Sequence, residues 1–132
     1  MNIAGLVAIP SSHSVKDTLD RLEAALKSKG IQVFARIDHG AGAAAVGMSL
    51  RPTELLVFGH PKGGTPLMEA RQTIGIDLPL KALAWQDEAG KVWLTYDDPK
   101  WLGRRYKLAA AANPAVEALA IVLANFAKTA AE

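Results

Sequence analysis

Apolar residues recur along this chain with two periods, and the alternation between them marks its elements. Val15, Leu19, Leu22 and Leu26 follow one another at spacings of four, three and four, with Lys16, Asp20, Glu23 and Lys27 between them. That is one apolar stripe on a helix. Ser14, three residues before Asp17, supplies its N-terminal cap, and Gly30 its stop. Ile31, Val33, Ala35 and Ile37 alternate with Gln32, Arg36 and Asp38, which predicts a half-buried strand whose polar face is broken only by Phe34. Leu55-Leu56-Val57-Phe58 is apolar on both faces, as in a central strand. Leu80–Gln86 and Lys91–Tyr96 flank Asp87-Glu88-Ala89-Gly90 and predict a hairpin. Ile3–Ile9 predicts a first strand ended by Pro10.

Proline and glycine punctuate the remainder. Thr65-Pro66 predicts the cap and first turn of a short helix running through Met68 and Arg71 to about Ile74, with Gly75 as its stop. Asp98-Pro99 predicts another short helix, carrying Trp101, Leu102 and Arg105, and Asn113-Pro114 caps the last one. In that last helix Val116, Leu119, Leu123 and Phe126 have helical spacing, and Ile121 and Val122 widen the apolar face. His39–Met48, rich in Gly and Ala, reads equally as a loop or a small helix. With no repeat and no linker, residues 1–132 form a single domain. The order of elements predicts an α+β fold: a mainly antiparallel sheet with helices on one face.

Composition excludes more than it assigns. Half of the residues are hydrophobic, which argues against disorder. The absence of Cys excludes a disulfide framework and a thiol nucleophile. Fifteen Lys and Arg against 13 Asp and Glu leave a formal charge of +2, too small and too dispersed to predict nucleic-acid binding. The apolar start has no basic residue before it, and no stretch offers about 18 uninterrupted apolar residues. We therefore expect a cytoplasmic protein with no membrane partner.

Chemistry concentrates in Gly59-His60-Pro61-Lys62-Gly63-Gly64-Thr65-Pro66. Two glycines permit close backbone approach, Lys62 adds a cation, and a helix start at Thr65 would offer free N–H groups to a carboxylate or phosphate. The same residues equally describe a tight turn between a strand and a helix. It is not a phosphate-binding loop of the G-x-x-x-x-G-K-[ST] kind, because the lysine precedes both glycines. Lys81 shares a strand face with Leu83 and Trp85, opposite Leu80, Ala82 and Ala84. A buried lysine there is a Schiff-base candidate, while a half-covered one simply snorkels. His13, His39 and His60 have no metal-ligand spacing, so neither a metal nor another cofactor is expected, and a pairing of His39 with Glu69 or Asp77 stays open. Trp85, Trp93, Tyr96 and Trp101 gather around the hairpin and the helix after it, as core, pocket or interface. Lys100, Arg104, Arg105 and Lys107 form a basic helix face.

The run Phe58–Met68, then Gly75-Ile76-Asp77-Leu78-Pro79-Leu80-Lys81-Ala82-Leu83-Ala84-Trp85, Gly90-Lys91-Val92-Trp93 and Asp97-Asp98-Pro99, occur in this order. Together with Phe34–His39 they resemble the bacterial family known as domain of unknown function 302, over roughly residues 5–108. The resemblance implies a β-α-β(4)-α fold like that of the TATA-binding protein, and a homodimer. It implies no activity. His60 stands where the family more often carries Asn, and Tyr106 where a His is common.

The leading expectation is a non-catalytic homodimeric domain binding a small anionic or amphipathic ligand through His60, Lys62, Gly63, Gly64, Thr65, Lys81 and Trp85. An enzyme using Lys81 or a histidine in the same pocket is the alternative, and a structural or partner-binding protein a third.

Overall fold

The structure, a computed structural model, describes residues 3–132. Five strands form one wholly antiparallel sheet: β1 (Leu6–Ser11), β2 (Gln32–Asp38), β3 (Thr53–Gly59), β4 (Leu80–Gln86) and β5 (Val92–Asp97), in the spatial order β1-β5-β4-β3-β2. Helix α1 (Val15–Ser28) carries the chain from one edge strand to the other. Short helices α2 (His39–Ala45), α3 (Pro61–Ala70) and α4 (Pro99–Arg105) precede the long α5 (Asn113–Ala131).

Local signals govern α1. The Ser14 hydroxyl accepts from the Asp17 N–H. At the other end, Gly30 N–H bonds Lys27 O and Ile31 N–H bonds Leu26 O, the paired closure that requires a left-handed residue, here Gly30 at φ +74°. Val15, Leu19, Leu22 and Leu26 are all buried. They meet Leu56, Phe58, Ala82, Ala84, Leu94 and Tyr96 of the sheet and Leu123, Ala127 and Ala130 of α5, so α1 and α5 cover the same face. A second apolar cluster of Leu67, Ile74, Leu102 and Val116 lies beside this core.

Several boundaries differ from expectation. Strand β1 begins at Leu6 and runs through Pro10, which sits opposite Trp93 on an edge strand, where a missing N–H is tolerated. Residues His39–Ala45 are helical, capped by the Asp38 carboxylate on Ala41 N–H. Asn113 is the first helical residue of α5 rather than its cap, because a 3-10 turn at Ala110–Ala112 feeds directly into the helix. By length and composition Ala110–Ala131 is long and apolar enough to cross a bilayer, although Asn113, Glu117, Asn125 and Lys128 interrupt its apolar run; in this fold it packs on α1, α4 and β1.

A bulge in β2 overturns its simple alternation. Val33 pairs with Phe58 and Ala35 with Val57, so Phe34 is an extra residue. Beyond it the faces exchange. Arg36 pairs with Leu56 on the helix-covered face and bonds Asp20 at 2.6 Å, while Ala35 and Ile37 turn to the opposite face. There the directly paired row Ala8, Thr95, Leu83, Leu55 and Ile37 crosses all five strands. Trp85 pairs with Trp93 on the same face.

Candidate functional site

A cavity of about 410 Å³ opens between the helix-covered face of the sheet and helices α3 and α5. Its walls come from both apolar clusters: Leu26, Phe58 and Leu123 from the main core, Met68, Leu78 and Leu119 from around the second. The space is where those clusters fail to merge. Phe34, projected by the bulge, and Val122 line it while 49% and 44% exposed, so the mouth is apolar too. Among the lining residues only His60 and Thr65 have polar side chains.

The glycine-rich run lies on this wall, in a conformation other than expected. Helix α3 begins at Pro61, so Gly63 and Gly64 are helical, Thr65 is not a cap and Pro66 lies inside the helix. The cap is His60, whose Nδ1 accepts from Lys62 N–H at 3.0 Å. Gly63 and Gly64 both donate to His60 O, at 3.0 and 3.2 Å. Pro61 has no N–H, so the backbone donors of this first turn are taken up internally, and the expected anion nest has no free N–H groups. The glycines lie against the cavity wall instead, where a side chain would make ordinary contacts. A Cβ on Gly63 would meet Leu119 Cδ1 at 3.4 Å, and one on Gly64 would meet Leu78 Cδ1 and Met68 Cε at 3.6 Å. After α3 comes a 3-10 turn, Gln72–Asp77, and Gly75 lies within it rather than stopping a helix.

The sheet separates the expected site into two. His60, Gly63, Gly64 and Thr65 line the cavity on the helix side, and Lys62 is exposed beside them. Lys81 and Trp85 pair with Val57 and Thr53 on the opposite face, as the alternation in β4 predicts. Lys81 is half-buried as a residue, and its Nζ sits 3.5 Å from Pro79 O at the exposed end. Trp85 and Trp93 stack with ring centroids 6.3 Å apart, and their indole N–H groups donate to Thr95 Oγ1 and Asp87 Oδ2. Tyr96 belongs to the main core. Trp101 packs in the second cluster and against Gly5, where a Cβ would fall 2.1 Å from the indole ring.

The other candidates disperse. Asp77 accepts from Arg105 at 2.8 Å and from the Tyr106 hydroxyl, whose pKa this carboxylate raises. Arg105 also lies over the Trp101 ring, and Lys100 faces Glu117, so part of the basic patch is paired within the fold. Among the described residues no three His, Asp or Glu side chains converge as metal ligands. The residues that sequence reasoning passed over are the apolar walls: Phe34, Met68, Leu78, Leu119, Val122 and Phe126. Two carried a signal, since Phe34 interrupts a polar face and Val122 widens the face of α5.

Comparison with known proteins agrees with the fold. The chain is 52% identical over 116 residues to the protein named fluoride-specific ion channel FluC 1 of Brucella suis biovar 1, covering 88% of this chain and 46% of that one. The FluC 1 protein of Brucella abortus biovar 1 matches at the same identity, with 43% of its length covered. The chain thus spans just under half the length of these curated relatives. The crystal structure of an uncharacterised conserved protein from Bacillus stearothermophilus superposes with a TM-score of 0.85 at 19% identity, covering 97% of this chain and 99% of that one. The family profile described as Domain of unknown function DUF302 matches residues 7–126, and the chain belongs to that family.

Proposed function

We propose that this domain is a non-catalytic receptor for a small amphipathic molecule and works as a homodimer. The observation that carries the reading is the cavity: about 410 Å³, apolar on nearly every side, with its two polar side chains, His60 and Thr65, at the cap and in the second turn of α3. Sites for small organic molecules have this size and character, a mostly apolar wall with a few polar groups that orient the ligand. Lys62, exposed on the first turn of α3, adds positive charge nearby. The homodimer is supported by the sheet face opposite α1 and α5, which carries Leu55, Leu83, Trp85 and Trp93. Calorimetric titration with amphipathic acids, alcohols and amines tests the receptor. Micromolar or tighter saturable binding by one class is the expected result, and no binding by any class overturns it.

The Brucella relatives favour a second reading. Proteins named as fluoride channels carry a segment matching this chain within less than half of their length. In such a protein the domain would be the ligand-sensing part of a membrane transporter. Fluoride flux through the Brucella suis protein in vesicles should then change when a ligand of the isolated domain is added; unchanged flux at saturating ligand refutes it.

A further inference from the structure

Resting on the receptor reading, we infer that the ligand is an aliphatic acid whose carboxylate meets His60. The capping bond decides what His60 offers. Its Nδ1 accepts from Lys62 N–H, so in the neutral ring the proton resides on Nε2. The ring edge left for a ligand is therefore a donor. Thr65, the other polar side chain of the wall, also carries a donor hydroxyl. Two donors with an exposed ammonium at Lys62 suit an anionic acceptor, whereas a cationic head would find only the Thr65 hydroxyl oxygen to accept from it and would be repelled by Lys62.

The rest of the wall specifies the body of the molecule. Its side chains are aliphatic, aromatic or thioether carbon surfaces, so a polar group placed deep in the cavity would lose its water without replacement. The cavity, about 410 Å³, has the size of a site for a small organic molecule. Decanoate is a probe of that class and carries its only polar group at one end. The tail then lies between Phe58, Leu80 and Leu123, with the carboxylate at the start of α3.

The test uses the whole chain and two ligands that differ in the head, decanoate and 1-decanol, in calorimetric titrations. The variant is His60→Asp. Aspartate is a good helix cap, so α3 keeps its start, but the side chain offers no donor and is itself anionic. Thr65→Val, nearly equal in shape, removes the hydroxyl. Decanoate should bind the unaltered protein about tenfold or more tightly than decanol, the size of a charge-assisted hydrogen bond. His60→Asp should weaken decanoate at least tenfold and leave decanol within about twofold. Equal binding of the two ligands, or equal losses in the variant, overturns the acid while leaving an apolar receptor standing. If neither ligand binds but an amine or a larger amphipath does, the acid alone is refuted. If nothing binds, the receptor falls with it.

Discussion

Two glycines, Gly30 and Gly64, face opposite demands, and the same substitution separates them. Gly30 closes α1 at φ +74°, and a Cβ there meets nothing within 4 Å. Its replacement by alanine is opposed only by backbone sterics, about 1 kcal/mol. Gly64 lies within α3 at ordinary helical angles, and its Cβ would make normal contacts with Leu78 and Met68. There alanine gains about 0.5–1 kcal/mol of helix stability. Thermal melts should show Gly30→Ala destabilised and Gly64→Ala stabilised, the latter with a smaller cavity and weaker ligand binding. Asp87 supplies a pH dependence. Its carboxylate accepts from the Trp93 indole and from the Lys91 and Ala89 N–H groups, which hold its pKa below the usual carboxylate range. A depressed folded-state pKa adds stability above the unfolded value and loses it as pH falls through the folded one. The melting-temperature gap between the unaltered protein and Asp87→Ala should therefore be full at pH 7 and close below about pH 4. A gap unchanged at acid pH would mean that the charge does not matter to the hairpin.

Elements were legible in the sequence where their causes are local. The Ser14 cap, the four-residue stripe of α1 and the Gly30 stop lie within one stretch of chain, and the structure shows each of them. The start of α3 was not legible, because Gly63-Gly64 reads as a turn. A Cβ at either position would make only ordinary contacts with Leu119, Leu78 and Met68, so packing does not demand glycine inside that helix. The bulge at Phe34 was hidden too, since an extra residue exists only relative to its partner strand β3. Alternation did assign Lys81 to the face opposite Leu80, but it could not tell on which side of the sheet α3 would pack. The expected site therefore merged two faces. The bulge has a consequence for binding: it aims a half-exposed aromatic ring into the mouth of the cavity. Phe34→Ala should cost far less than the roughly 3–5 kcal/mol of a buried phenylalanine, yet weaken ligand binding several-fold. Phe58→Ala, at a ring only 2% exposed, should incur that full loss. Paired melts and titrations distinguish the two, and equal destabilisation by both would show that Phe34 belongs to the core.

At the scale of the whole molecule the two faces of the sheet have different fates. One is covered by α1 and α5; the other presents Leu55, Val57, Leu83, Trp85, Trp93 and Ala8 together with Lys81, and among the described residues no helix lies across it. Five strands about 4.8 Å apart and some six residues long span roughly 24 by 20 Å, a footprint of order 500 Å² before side-chain relief is counted. That approaches the ~800 Å² each partner contributes to a standard interface and matches the roughly 300–600 Å² of the largest patch on a typical monomer, often a functional one. A second copy placed face to face buries Leu83, in the middle of the five-strand row, against its counterpart. Leu83→Glu puts a carboxylate at that position. In a separate chain the charge remains solvated and the strand remains paired with β3 and β5, so the fold should survive. In the dimer two carboxylates would be brought together away from water, with Lys81 of each copy as the cation on that face, and burying charge that is not fully paired costs several kcal/mol. The unaltered protein should sediment as a dimer at micromolar concentration and Leu83→Glu as a monomer. Both should bind the cavity ligand with the same affinity, because the cavity lies on the other side of the sheet. A monomeric unaltered protein rejects the face as an interface between copies; a variant that loses ligand along with its partner would show that the two faces are coupled through the sheet.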